Sequence, residues 1–547
     1  MKIRLFFLFL FLLSNYFISA QVVFVDVHDN IYDFLETLSL KGAIDYDGQI
    51  KPLSRVYIAK MLDSAIVNSQ LLTEIEKNDL EFYKKDYFYE LAKIHNDIIV
   101  PELYYLNSGT EGRFHFLSYM DSSFTITADP VLSFETKKWS NKDHLISHYN
   151  GAISRGSIND NIGFGLYLND LYEVGRYDST RYFSDKTGYS YRKQSASQIN
   201  YDEVCAALTF SWKWGDFSLA KDYLEWGSGR SGQLILSDKA PSFPMIRLNV
   251  YPVDWLKFTY IQGYLNSGVI DSSTIRDNAG IERPQHFSNV EKYIVAHMLT
   301  IKPWKNLSLS IGESVIYSDR FEPIYLIPIL FFRLADHYLT SAENDANGGN
   351  AQLFADCSFK ITSIKSKFYS TLFIDELSLT AILTNKQAPS AVGYTIGFEV
   401  ADPIIKDIEL NLEYTRINPF VYFHVDDAQA YSNYNYQLGH WIGSNSDQVH
   451  MSITKHFLRG LSLTASYDYI RKGEQPSLDS LRYQSYQNFL YGPNINYTFI
   501  GLNLKYELIH KLFLKFEMNY TSIKNSSNLP PASGNYLDLL TGVSYGF

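Results

Sequence analysis

Cysteine is almost missing: the 547 residues contain only Cys205 and Cys357. Two thiols supply neither the framework of a disulfide-stapled scaffold nor a clustered thiolate metal site, and no metal-ligand spacing occurs elsewhere. Also missing is any continuous run of the roughly 18 apolar residues that a transmembrane helix requires. Ile324 to Phe332 comes nearest, and Pro328 interrupts it. Positive charge is short as well, and a formal net charge of −11 argues against nucleic acid as a partner. Aromatic residues are plentiful instead. They make up 16% of the chain, and its 43 Tyr, most of them in the C-terminal four-fifths, reach a level that suits the interfacial girdles of a membrane barrel.

The stretch Tyr536 to Phe547 gives that reading its form. Leu537, Leu539, Thr541, Val543, Tyr545 and Phe547 alternate with Asp538, Leu540, Gly542, Ser544 and Gly546, and the alternation runs to the last residue. An amphipathic strand that ends on an aromatic residue fits the closing strand of an outer-membrane barrel. The pattern recurs upstream in Leu512 to Tyr520 and Leu502 to Leu508, where Lys505, Glu507, Lys515 and Glu517 all fall on one parity. A charge facing lipid at mid-bilayer costs about 2–4 kcal/mol, so this parity predicts the lumen. By the same rule Cys205 shares a face with Thr209 and Ser211, inside, and Cys357 shares one with Leu353 and Phe359, outside. A bridge between them would have to cross the wall.

Lys2 and Arg4 precede an apolar run from Leu5 to Leu13, and Ile18-Ser19-Ala20 follows. This reads as a secretory signal over residues 1–20, cleaved near Ala20, with no cysteine after the site to carry a lipid anchor. Residues 21–112 change period. Ile31, Phe34, Leu35 and Leu38 stand at helical spacing and Gly42 ends the run. Ser54 is placed to cap a second helix, and Thr73 with Glu76 forms a capping box for a third that extends to Ile94. We expect a helical module there, on the periplasmic side, ahead of a barrel over residues 113–547.

Tight turns count the strands. Turns at Ser157–Asn161, Trp214–Asp216, Pro252–Asp254, Lys302–Asn306, Ser363–Lys365, Asp402–Asp407, His456–Gly460 and Ile509–Lys511 give eight hairpins. With an opening strand near Phe124 to Phe134 and a closing one at Phe547, the total is about 18 antiparallel strands. The fold class is therefore an all-β transmembrane barrel with a small α-helical module. Short turns face the periplasm, so the long connections, among them Tyr223–Pro244, Ser318–Asn350 and Arg416–Asp447, belong to the outer side, either exposed or folded into the mouth.

Two of these connections carry a resemblance. The run YLEWGSGRSGQLILS from Tyr223 to Ser237, continuing through Pro241 and Pro244 to Ile246-Arg247-Leu248, resembles the signature of the Wzi-type capsule assembly proteins. The run FFRLADHYL from Phe331 to Leu339, followed by Ser341 to Asp345, resembles another block of that family. Tyr32-Asp33-Phe34-Leu35 and Lys51-Pro52-Leu53-Ser54-Arg55 fit its helical opening. The resemblance implies an outer-membrane lectin that holds capsular or exopolysaccharide at the cell surface, with no enzymatic activity and no cofactor. Its partners would be that polymer, outer-membrane lipid, and a periplasmic or polymer-export protein. A gliding-motility and adhesion branch has a similar architecture, and a passive porin is a third reading, opposed by the helical module and the inward-foldable segments.

For a polysaccharide, flat aromatic faces and planar polar groups are the expected contacts. Tyr422, His424, Tyr431, Tyr434, Tyr436, His440 and Trp441 concentrate both kinds in one outer segment. Trp226, Arg230, Arg247 and Asp336 complete the candidate set, with Arg247 on the lumen parity beside Asn249 and able to pair with a carboxylate. Gly227, Gly229 and Gly232 match a dinucleotide fingerprint in spacing alone, since no helix can follow through Pro241 and Pro244. Asp336, His337 and Ser341 supply residue types for acyl transfer, but nothing orders them as nucleophile and base.

Overall fold

The structure is a computed structural model that describes residues 23–139, 144–159, 161–175, 183–190, 193–195, 197–275, 287–339, 348–376, 391–477, 487–527 and 530–546. The expected signal segment, Ser341 and Phe547 lie outside the described residues.

Alternation selects strands here because successive side chains meet two media, while a closed wall pairs every backbone N–H and C=O that lipid would leave bare. The wall begins with β1 (Phe124–Trp139), β2 (His144–Ile158), β3 (Ile162–Gly175), β4 (Gln198–Trp212), β5 (Gly215–Asp222) and β6 (Phe243–Val253). It continues with β7 (Leu256–Ile270), β8 (Asn289–Trp304), β9 (Leu307–Ser318), β10 (Asn350–Ile361), β11 (Ser366–Glu376) and β12 (Ala391–Ala401). It ends with β13 (Ile408–Ile417), β14 (Ser446–Leu458), β15 (Leu461–Lys472), β16 (Ile495–Ile509), β17 (Leu512–Asn525) and β18 (Gly534–Tyr545). All neighbours are antiparallel, and β18 pairs with β1 from Asp538↔Trp139 to Tyr545↔Leu132, closing a barrel of 18 strands. Each turn read from the sequence joins two paired strands. The expected parity holds too: Lys505 bonds Asn30 inside and Lys515 stands 3.8 Å from Glu135, while Leu504, Phe516, Met518 and Leu539 are exposed outside.

Only the upper part of β1 borders β18. Its lower part pairs with His115–Met120, which in turn pairs with Glu102–Asn107. This hairpin extends the sheet across residue 112, where the composition changes.

The module contains α1 (Ile31–Leu40), α2 (Arg55–Val67), α3 (Glu74–Asp86) and α4 (Phe88–His95). Ser54 Oγ accepts the Tyr57 N–H at 3.2 Å, and Thr73 and Glu76 complete a reciprocal capping box. The helix expected to run on to Ile94 breaks at Tyr87. The break lets Asp86 and Glu90 both reach Arg55, whose guanidinium lies 4.1 Å from the centre of the Tyr87 ring. Ile31, Leu35, Leu38, Ile58, Leu62 and Leu80 form the core of the module.

The module sits at the short-turn end of the barrel. Phe82 stacks on His510 at 3.7 Å, and the Arg459 guanidinium lies 4.3 Å from the centre of the Phe82 ring. Asp79 accepts the Gly460 N–H, Lys302 pairs with Asp45, and Lys511 pairs with Asp29 at 2.7 Å. Lys41, its side chain 1% exposed, joins Glu76 of α3 to Asp402 of a wall turn. The carboxylates of Glu76 and Asp402 outweigh the burial that opposes its charge and raise its pKa.

Candidate functional site

Among the described residues, several pieces of chain fill the lumen, with residues 183–190 packed beside those described next. From below, Ile50–Lys51 of the module pairs with Glu225–Trp226, and the Gly227 N–H donates to Gln49 O at 2.8 Å. The glycine-rich segment is then held by carboxylates of the wall. Asp356 accepts from Ser228 N and Oγ, and Glu413 accepts from Arg230 N at 2.7 Å and Ser231 N at 3.2 Å. Close approach explains two glycines: a Cβ on Gly229 would meet the Gly232 carbonyl oxygen at 2.2 Å, and one on Gly232 would meet the His440 ring at 2.7 Å. The Arg230 side chain reaches Asp33 at 2.9 Å and Glu399 at 3.4 Å, tying this segment to the module and the wall.

From above, the β13–β14 connection folds inward onto the same segment. Tyr422 OH donates to Leu234 O at 2.7 Å, Tyr431 OH to Ile235 O at 2.8 Å, and Trp441 Nε1 to Ser231 O at 2.7 Å. Tyr422 and Tyr431 stack at 5.6 Å, and both pack against Phe373. Lys239 Nζ lies 5.4 Å from the Tyr436 ring centre.

These contacts place the residues singled out in the sequence. Trp226, Tyr422, Tyr431, Tyr436 and His440 are buried, so their rings pack the plug and do not face solvent at the mouth. For Tyr422 and Tyr431 the physical reason is partner satisfaction: the backbone carbonyls of Leu234 and Ile235 take their hydroxyls, and each ring packs on the other and on Phe373. His424, Tyr434 and Trp441 keep part of their surface open, and His424 Nδ1 accepts the Asp426 N–H at 3.2 Å. Arg247 faces the lumen at 2% exposure, 3.6 Å from the centre of the Phe24 ring and 4.0 Å from Asp222. Asp336 stands in α5 (Phe332–Leu339); its side chain lies outside the described residues.

The plug leaves one large space, a cavity of about 560 Å³ along β1–β4 and β16–β18. It runs from Trp139, Leu145 and Tyr189 near the outer end to His28, Asp29 and Lys511 beside the module. Its size lies within the roughly 300–1,000 Å³ usual for ligand sites. Flat rings line it, including Trp139, Tyr149, Tyr167, Tyr201 and Tyr223, interspersed with Glu135, Lys137, Glu173, Glu203, Lys505 and Lys515. Tyr189 and Tyr201 pack at 4.1 Å, and Lys137 Nζ stands 5.1 Å from the Trp139 ring centre and 3.3 Å from Asp538. At the module end, His28 lies 2.7 Å from Asp26 and 3.0 Å from Asp238. Surrounding protein opposes the charged imidazole, but the two carboxylates prevail and hold its pKa well above the ordinary value. Asp26, disfavoured by the same surroundings, is held at about 2 chiefly by His28.

None of the candidate polymer contacts read from the sequence lines this cavity. The signal that could have found its lining was the inward parity of Tyr149, Tyr167 and Tyr201, on the same face as Ser147, Glu173 and Glu203. Among the described residues no group of three or more His, Cys, Asp or Glu is placed to hold a metal ion.

Residues 147–527 match the family described as capsule assembly protein Wzi. No curated protein is matched. The fold is similar to that of Wzi, described as an outer-membrane protein involved in group 1 capsule assembly in Escherichia coli and a carbohydrate-binding β-barrel, with a TM-score of 0.56 at 14% identity, covering 96% of this chain and 100% of that one. OprD of Pseudomonas aeruginosa gives 0.42 at 11% identity over 77% of this chain and 94% of that one. OccAB1 of Acinetobacter baumannii gives 0.43 at 9% identity over 76% of this chain and 96% of that one.

Proposed function

Because the chain belongs to the Wzi capsule assembly family, we propose that it is an outer-membrane surface protein that binds capsular or exopolysaccharide and holds it at the cell. One observation carries the reading: the lumen is filled from both ends, and the large space left among the described residues is a ring-lined cavity with charged groups between the rings, running up to Trp139 and Tyr189. A filled lumen suits retention of a polymer better than its passage. Flat rings supply stacking faces for sugars, and the carboxylates and ammonium groups between them supply hydroxyl partners. We assign the sugar contacts to Trp139, Tyr149 and Tyr201, with His424, Tyr434 and Trp441 as further contacts at the mouth. Trp226, Tyr422, Tyr431, Tyr436 and His440 keep the plug in place. The protein acts on the polymer by binding, without turnover.

The test is retention of purified protein on a column of the native exopolysaccharide. Wild type should be retarded, and Trp139→Ala with Tyr201→Ala should elute near the void while keeping the heat-modifiable mobility of a folded barrel. Deletion of the gene should release polymer into the medium without stopping its synthesis. Equal retention by the double variant would remove the cavity from the reading. Unchanged surface polymer in the deletion strain would remove attachment. In liposome swelling, rapid passage of small sugars would favour a porin.

A further inference from the structure

One register row crosses the outer face of the wall through Leu248, Tyr260, His297, Glu313 and Leu353. Glu313 stands midway along β9, with Gln262 on the same face of β7. Lipid-facing positions at that depth do not carry bare charge or amide. Here they are covered: Glu313 is 2% exposed, Gln262 5% and the His297 side chain 15%.

The cover is the first part of the β9–β10 connection. The sequence suggested that Ser318–Asn350 would be an exposed loop or fold into the mouth; its described part instead descends along the outside of the barrel. The Glu313 carboxylate accepts the Phe332 N–H at 2.6 Å and the Arg333 N–H at 3.3 Å, anchoring the start of α5 to the wall. His297 Nδ1–H donates to the Pro328 carbonyl at 2.9 Å, and Tyr260 OH to the Tyr325 carbonyl at 2.8 Å. Tyr325, Phe332 and Ala335 pack with Val295, Val315 and Tyr317 as a core separate from the lumen.

The far side of this cover is apolar. Leu326, Ile327, Ile329, Phe331 and Leu334 are 44%, 50%, 84%, 46% and 58% exposed. From Pro323 to Ala335 the only charged residue is Arg333, whose long stem lets a guanidinium reach toward the headgroups. The face is continuous with the bare wall, where Ile311 is 63% and Tyr264 47% exposed. The geometry points to a strap embedded in the outer leaflet: we propose that Pro323–Ala335 lies within the membrane, polar groups against the wall and apolar side chains against lipid acyl chains. The interaction surface of this protein with lipid is then more than its strands, and the polar row at mid-wall exists to hold the strap.

The test uses the full chain in phosphatidylethanolamine–phosphatidylglycerol nanodiscs, with Cys205→Ala and Cys357→Ala as background. Spin labels at Ile329→Cys and Leu334→Cys should collide with oxygen more than with a nickel chelate, as a label at Ile311→Cys on the bare wall should. A label at Arg320→Cys near the rim should show the reverse order. Chelate access at 329 and 334 equal to that at 320 would overturn the proposal. A second measurement leaves the chain unaltered: a diazirine-tailed phosphatidylcholine in the same nanodiscs should mark the peptide containing Leu326–Leu334 on photolysis. Marking of Ile311 without that peptide, or crosslinks from it to a second copy in place of lipid adducts, would overturn the embedding.

Discussion

Glu413→Ala tests whether the glycine-rich segment is held in the lumen by the wall. Glu413 is 4% exposed and accepts from Arg230 N at 2.7 Å, Ser231 N at 3.2 Å and Tyr369 OH at 2.7 Å, with Ser231 Oγ as a fourth donor. Alanine leaves two backbone donors and one phenol without an acceptor, at about 1–3 kcal/mol each. Removing a buried carboxylate returns part of that cost, and Ser231 Oγ can turn to Gln448 at 3.4 Å. A net loss of about 3–5 kcal/mol follows for the closed segment, which raises its open population by about 10²- to 4 × 10³-fold at 1.4 kcal/mol per decade. Amide exchange across residues 228–236 should accelerate by that factor, and liposome swelling by small sugars should rise with it. Glu413→Gln, which keeps one acceptor oxygen, should fall between. Wild-type exchange in the alanine variant, in a protein that still shows the heat-modifiable shift, would refute the view that this carboxylate holds the plug.

Three further outcomes are expected. Thr73→Ala removes the capping box of α3 and should cost the module about 1 kcal/mol, read as a lower melting temperature in far-ultraviolet circular dichroism; an unchanged melt would deny the cap its role. His28 is held charged by Asp26 and Asp238, so its tie is complete below the ordinary histidine pKa and is lost as pH rises through the raised folded-state value. Asp26, held at about 2, keeps its contribution above the ordinary carboxylate range and loses it as pH falls toward that value. Amide exchange near residues 24–30 should therefore be slowest between those limits, and His28→Gln should flatten the alkaline limb. Gly232→Ala drives a methyl into the His440 ring and should destabilise the plug by about 1–3 kcal/mol; His440→Ala in the same chain should recover part of the loss.

Much of the barrel was legible because closure in lipid leaves a local trace. A strand must alternate, a periplasmic turn must be short, and a mid-bilayer charge must face inward, so Lys505 and Lys515 could be oriented from their own neighbours. Ser54 and the Thr73–Glu76 pair were legible for the same reason, a capping bond spanning three residues. Contacts distant in sequence left no such trace. Nothing in Tyr422 or Tyr431 announces that its hydroxyl will be taken by Leu234 or Ile235, some 190 residues earlier, and a ring-rich outer segment then reads as a surface when it is packing. The break at Tyr87 depends on Arg55 reaching both flanking carboxylates, and α3 alone gives no hint of it. Likewise Glu313 breaks the outward-apolar rule, and the exception becomes intelligible only once Phe332 and Arg333 are seen to spend their free N–H groups on it.

The strand shared at the seam makes completion of the cylinder and seating of the helices interdependent. Until Gly534–Tyr545 has been threaded in, β1 is open only along Leu132–Trp139, because Leu117–Met120 already shields the stretch beneath. The edge that β18 covers is therefore short, and the hairpin that narrows it leads directly from the helical domain.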